Sequence, residues 1–96
     1  MNIRQYYLYI LESGKNGTLY IGVTNDLVRR TDQHKQQQTD SFAKKYNVNN
    51  LVYFEAHDNI ESAITREKYM KAWKRNWKIK LIEKENAAWR DLSEVF

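Results

Sequence analysis

Tyr6-Tyr7-Leu8-Tyr9-Ile10-Leu11 runs through Glu12 and Ser13-Gly14-Lys15-Asn16-Gly17 into Thr18-Leu19-Tyr20-Ile21-Gly22-Val23. The first segment is aromatic and aliphatic without a break, which is strand composition. A period of two puts Tyr6, Leu8 and Ile10 on one face and Tyr7, Tyr9 and Leu11 on the other. Ser-Gly-Lys-Asn-Gly is turn chemistry. In the second segment Leu19, Ile21 and Val23 oppose Thr18, Tyr20 and Gly22. An antiparallel hairpin follows. If positions summing to 29 lie opposite each other, Tyr9 faces Tyr20 directly, and a slip of one residue separates them. The sequence leaves that register open.

Beyond the hairpin, Thr24-Asn25-Asp26 offers N-cap side chains for a helix over about Asp26 to Gln36. Its residues Leu27, Arg30, Thr31 and His34 share one face, and that face is unusually polar for the buried side of a small domain. Gln36 to Asp40 reads as a loop and Phe42 to Tyr46 as a short helical turn. Leu51-Val52-Tyr53-Phe54-Glu55 reads as a third strand. From Ile60 to about Trp73 the residues Ile60, Ala63, Ile64, Met70 and Trp73 recur at helical spacing, and Glu67 falls inside that apolar stripe. A last helix, about Trp77 to Asn86, carries Trp77, Leu81 and Ile82 inward, and the tail holds Trp89 and Leu92. The order β-β-α-β-α-α predicts an α+β fold, a three-stranded antiparallel sheet flanked by helices.

The chain has 96 residues, 42% hydrophobic and 14% aromatic, with three Gly and no Pro. It reads as one domain, 1–96, with a modest core that buries roughly 60–65% of the unfolded surface. The absence of Cys excludes disulfide scaffolds and Cys-based zinc sites. No apolar run approaches the roughly 20 residues of a membrane span, and the N-terminus has no signal-peptide pattern, so the cytoplasm is the default compartment. Net charge is +4, distributed unevenly. Arg66 to Lys80 holds Arg66, Lys68, Lys71, Lys74, Arg75, Lys78 and Lys80 against Glu67 alone, a net of +6 that leaves −2 for the remainder. Such a segment favours a polyanion through counterion release, although a solvated Lys-rich helix has the same composition.

Tyr9, Tyr20, Arg30, His34 and Glu67 are the residues able to handle a phosphodiester and a divalent metal if they converge. A carboxylate inside an apolar stripe costs several kcal/mol unless it is paired, protonated or metal-bound. Glu67 therefore either pairs with Lys71 one turn on, pairs with Arg30 across the fold, or holds a metal. For phosphodiester hydrolysis, a carboxylate such as Glu67 suits Mg²⁺. Arg30 can stabilise charge developing in the transition state through two N–H groups. A Tyr held near metal and Arg can serve as general base.

This pattern resembles the GIY-YIG nuclease superfamily. The second half-motif is intact as Tyr20-Ile21-Gly22, while Tyr7-Leu8-Tyr9 stands where Gly-Ile-Tyr is expected, so its final Tyr matches. The spacing to Arg30 and His34, a Glu in a later helix at Glu67 and an Asn after the last helix at Asn86 also match. The likeness is greatest to short stand-alone bacterial members similar to the N-terminal domain of the C component of excinuclease ABC, through residues 51–55, 71–75 and 85–92. It implies Tyr9 as general base, Tyr20 as an orienter of water or a phosphate oxygen, and Arg30 as a stabiliser of transition-state charge. It further implies His34 in proton transfer or phosphate contact and Glu67 as the holder of one Mg²⁺ or Mn²⁺ ion. Lys71, Lys74, Arg75, Lys78 and Asn86 are then the expected DNA contacts. The activity implied is metal-dependent DNA cleavage in repair or recombination. The rival readings are a nucleic-acid-binding module that does not cut and a domain that recruits a protein partner for repair.

Overall fold

The computed structural model describes residues 5–13, 17–36 and 50–95. Strands β1 (Tyr6–Glu12), β2 (Leu19–Thr24) and β3 (Asn50–His57) form one sheet in the order β2-β1-β3, with β1 antiparallel to both neighbours. Helix α1 (Leu27–Lys35) follows β2. After β3 come α2 (Ile60–Ala72), α3 (Arg75–Glu85) and a 3₁₀ helix, Leu92–Val95, that the sequence pattern does not announce. The predicted α+β class and the β-β-α-β-α-α order hold. The expected turn at 42–46 and the loop over 37–40 lie outside the described residues.

The position of β1 explains its composition. As the central strand it is covered on both faces, so Leu8, Tyr9, Ile10 and Leu11 are all buried and the usual alternation with polar residues disappears. On one face Leu8, Ile10 and Ile21 pack with Met70 of α2 and Ile82 of α3, closed by Trp73, Leu81 and Trp89. On the other, Tyr9, Leu11 and Leu51 pack with Leu27 of α1, with Tyr7, Tyr20 and Leu92 at the margin. A bulge at Val52 lets β3 serve both layers, because Ile10 pairs with Tyr53 while Leu11 pairs with Leu51.

The hairpin register differs from the simplest expectation. Positions summing to 31 are opposed, so Tyr9 faces Gly22 and Leu11 faces Tyr20. This is a two-residue offset from direct Tyr9–Tyr20 pairing. An even offset preserves every face, and the two tyrosines become diagonal neighbours with ring centroids 6.3 Å apart.

The polar face of α1 is satisfied locally. Asp26 caps the helix by accepting from the Arg29 amide at 3.1 Å. Thr31 Oγ1 donates back to the carbonyls of Leu27 and Val28, both at 3.0 Å. One inward expectation needs correction: Trp77 is 57% exposed. Ile64, on the apolar stripe of α2, is 38% exposed.

Candidate active site

The site is built around one phenol. The Tyr9 side chain, 1% exposed, leaves the central strand toward α1 and lies across Gly22 of β2. A Cβ at position 22 would stand 2.5 Å from Tyr9 Oη and 2.6 Å from Cζ. Gly22 has no positive φ, so glycine is needed there for space and not for backbone conformation. Tyr-Ile-Gly thus contains the slot that seats Tyr9.

Helix α1 supplies two groups to Tyr9 from the face expected of it. Arg30 Nε donates to Tyr9 Oη at 3.2 Å, and His34 Nε2 lies 3.3 Å from the same oxygen. Because the oxygen accepts from Arg30, its own proton is available to His34 Nε2 when that nitrogen is the unprotonated one. His34 is buried. Its ring stands 5.9 Å from that of Tyr9 and 5.4 Å from that of Tyr20. Arg30 holds its proton more firmly than an ordinary guanidinium, chiefly through the hydrogen bond to Tyr9, with burial opposing and Tyr20 adding to the effect. Tyr9, Tyr20, Arg30 and His34, drawn from three elements, therefore meet in one place.

Glu67 lies on α2 with a half-buried carboxylate. Its partner is Lys71, Nζ to Oε2 3.4 Å, at the i,i+4 spacing. Of the two ion-pair partners considered from sequence, Lys71 is the one in place, while Arg30 is engaged with Tyr9. Lys71 and Lys78 wall a groove of about 220 Å³ whose other lining residues are Leu19, Tyr20 and Ile21. Tyr20 thus borders both the Tyr9 cluster and the groove beside Glu67. Among the described residues no three His, Asp or Glu side chains converge as a ready cation cage. The donor at Glu67 is a hard carboxylate oxygen, the type that Mg²⁺ takes, and a dication held there would replace the Lys71 ammonium as its partner. A divalent ion so held would supply charge neutralisation of phosphate oxygens.

The remaining expected contacts divide. Lys71 and Lys74 are exposed and Lys78 is half-buried. Arg75 is exposed but its Nη2 donates to the Gly17 carbonyl, tying α3 to the hairpin turn. Asn86 is corrected. It is buried, its Nδ2 donates to the carbonyls of Val52 (3.1 Å) and Arg90 (2.8 Å), and its Oδ1 accepts from the Arg90 amide. Both polar atoms of that amide are engaged in clasping the C-terminal segment onto β3, a structural role in place of the expected DNA contact.

Sequence reasoning missed a polar cluster under α2. Glu55 Oε1 accepts from Arg66 Nε and contacts His57 Nε2, both at 2.9 Å, while Tyr53 donates to Oε2. His57 Nδ1 meets Ser62 Oγ at 2.6 Å. Burial works to raise the Glu55 carboxyl, but hydrogen bonds from Tyr53, His57 and Arg66 outweigh it and hold it below the usual range. The signal was alternation: Tyr53, Glu55 and His57 share one face of β3.

The GIY-YIG catalytic domain family matches residues 5–80. The chain belongs to the GIY-YIG family. It is therefore a member of a nuclease family whose members generally use a divalent metal and bind nucleic acid. A UPF0213 protein of Pediococcus pentosaceus is 33% identical over 90 residues, covering 94% of both chains. One of Clostridium perfringens is 36% identical over 80 residues, 83% of this chain and 85% of its own. One of Haloquadratum walsbyi is 32% identical over 78 residues, 81% of this chain and 86% of that one. The solution NMR structure of the UPF0213 protein BH0048 from Bacillus halodurans superposes with a TM-score of 0.57 at 27% identity, covering 92% of this chain and 93% of that one. The GIY-YIG half-motifs are here Tyr7-Leu8-Tyr9 and Tyr20-Ile21-Gly22. The unusual Tyr7 is accommodated because its ring packs edge-on against Phe54 with centroids 6.5 Å apart. Among the described residues no helix is long and apolar enough to cross a membrane.

Proposed function

We propose that this chain is a cytoplasmic, metal-dependent endonuclease that hydrolyses DNA phosphodiester bonds in repair or recombination. The observation that carries the reading is the suspension of Tyr9 Oη between Arg30 Nε and His34 Nε2. A tyrosine kept only for packing needs no cation on one side of its oxygen and a proton acceptor on the other. In this arrangement Tyr9 hands its proton to His34 as it takes up another, and Arg30 stabilises the charge that develops on the oxygen. A phosphate entering beside Tyr20 draws the Arg30 guanidinium toward its own oxygens. That movement uncovers Tyr9 Oη, otherwise buried, for the attacking water. Tyr9 takes the water proton as the water oxygen bonds to phosphorus and the phosphorus–oxygen bond to the leaving strand breaks, the departing oxygen taking a proton from solvent. Arg30 then faces the charge of the five-coordinate phosphorus, and Tyr20 orients the water or a phosphate oxygen. Glu67 holds one Mg²⁺ or Mn²⁺ ion, while Lys71, Lys74 and Lys78 contact the DNA backbone.

The test is cleavage of plasmid, single-stranded and branched DNA with Mg²⁺ or Mn²⁺, comparing wild type with Glu67→Ala and Arg30→Ala. Metal-dependent nicking that both variants lose supports the proposal. Equal cleavage by Glu67→Ala, or salt-sensitive DNA binding with no turnover by wild type, would overturn it, the second outcome identifying a binding module. Failure to bind DNA at low salt, with a repair protein captured instead, identifies a recruiting domain.

A further inference from the structure

The exposed indole of Trp77 lies outside the chemistry above. A lone exposed hydrophobic side chain is ordinary on a protein surface, but Trp77 is held in place by Trp73 and is flanked in the sequence by Lys74, Lys78 and Lys80. Its ring stands edge-on to Trp73, centroids 6.1 Å apart at 68°. Trp73 is packed on the core and carries the Arg66 guanidinium 5.0 Å from its centroid. Arg66 is in turn pinned by Glu55 at 2.9 Å. The series Glu55–Arg66–Trp73–Trp77 therefore runs from β3 out to solvent and presents an ordered indole. On α3 the next residue, Lys78, walls the groove with Lys71 and Tyr20. Lys74 and Lys80 lie within one turn of Trp77, in the segment of charge +6.

We infer that Trp77 is a stacking shelf for an unpaired base of single-stranded DNA whose backbone follows the Lys71–Lys78 groove. This rests on the nuclease reading and narrows its substrate. Ammonium groups spaced beside a fixed aromatic ring match a strand whose phosphates need neutralising and whose base faces are free. In a duplex the base faces are already stacked on each other, so Trp77 discriminates between the two forms while the lysines do not.

The experiment uses the full chain in EDTA, which prevents metal-dependent cleavage, and a short fluorescein-labelled DNA oligonucleotide, single-stranded or annealed, read by anisotropy. Trp77→Ala is expected to weaken single-strand binding by roughly 5- to 150-fold and to leave duplex binding nearly unchanged. Trp77→Phe, which keeps a ring, is expected to retain most of the affinity. Lys78→Ala is expected to weaken both forms alike and to lower the salt slope by about 1. Trp77 is 57% exposed, so Trp77→Ala is expected to stay folded with a modest loss of Tm from the Trp73 contact, and a cooperative melt well above the assay temperature separates a loss of binding from a loss of folding. Equal effects of Trp77→Ala on both forms, no effect on either, or a Trp77→Phe defect as large as that of Trp77→Ala would overturn the shelf. Cleavage combined with binding indifferent to Trp77 removes the shelf alone. Wild type that binds neither form at low salt removes the shelf and the nuclease reading together.

Discussion

Gly22→Ala is the substitution that most directly tests how the site is assembled. The new methyl would lie 2.5 Å from Tyr9 Oη and 2.6 Å from Cζ, against an ordinary contact of 3.4 Å or more. The Tyr9 ring must therefore move by about 1 Å, a displacement large enough to cost around 100-fold in rate when it affects a reacting group. The ring has little room, with the Tyr20 and His34 rings beside it and Arg30 bonded to its oxygen. Overpacking of this kind costs about 1–3 kcal/mol. Since Gly22 has no positive φ, alanine also narrows the unfolded ensemble and returns about 0.4–1 kcal/mol. The net loss is between about 0 and 2.6 kcal/mol, centred at about 1.3 kcal/mol, which in a domain this size lowers Tm by roughly 5–10 °C. Thermal melts of Gly22→Ala in wild-type and Tyr9→Ala backgrounds separate the mechanism from a generic strand effect. In wild type the substitution destabilises and DNA cleavage falls by about two orders of magnitude, whereas in Tyr9→Ala it is neutral or stabilising because the clash has gone. The same loss of Tm in both backgrounds would refute the slot.

Three other substitutions probe single groups. Tyr9→Phe keeps the ring packing and removes the oxygen shared by Arg30 and His34, so cleavage is expected to fall by roughly 10²- to 10⁴-fold with DNA affinity in EDTA nearly unchanged, while the lost partner of two inward groups lowers stability by about 1–3 kcal/mol. Glu55 has a carboxyl pKa below 4.5 when folded, so its contribution is full above that pH and is lost as pH falls through the folded value. The stability deficit of Glu55→Gln, read by denaturant titration, should be largest at neutral pH and close in acid. Glu12 shows the opposite sign. It is 2% exposed, its Oε2 has no partner among the described residues, and burial raises its pKa while Arg75 lowers it. The ionised form therefore weighs against the fold as pH rises above 4.5. Glu12→Gln should raise Tm at neutral pH and lose that advantage below pH 4.5; a lower Tm at pH 7 would count against this account.

Much of the architecture was legible because β1 lies at the centre of the sheet: an unbroken apolar run beside a turn and a second strand has few other places to go. The register was not legible, since registers of equal parity keep the same faces. Yet the deciding residue was in view. Gly22 is the one position of β2 with no side chain to obstruct a large ring from the facing strand. Trp77 defeats the sequence pattern because hydrophobicity alone groups it with Leu81 and Ile82. At 100° per residue it lies about 140° from Ile82, whereas Lys78 lies about 40° away, and accordingly Lys78 is half-buried and Trp77 is not. Asn86 looks like a site residue because its amide can serve a phosphate or a backbone equally well. Only the fold brings the Val52 carbonyl, 34 residues earlier, against it. The polar face of α1 was a better guide than any single tyrosine. Thr31 satisfies its hydroxyl within the helix, and Arg30 Nη1 reaches Gln33 on the same helix. Arg30 Nε and His34 Nε2 instead turn toward the sheet, and the polar group that meets both there is Tyr9 Oη.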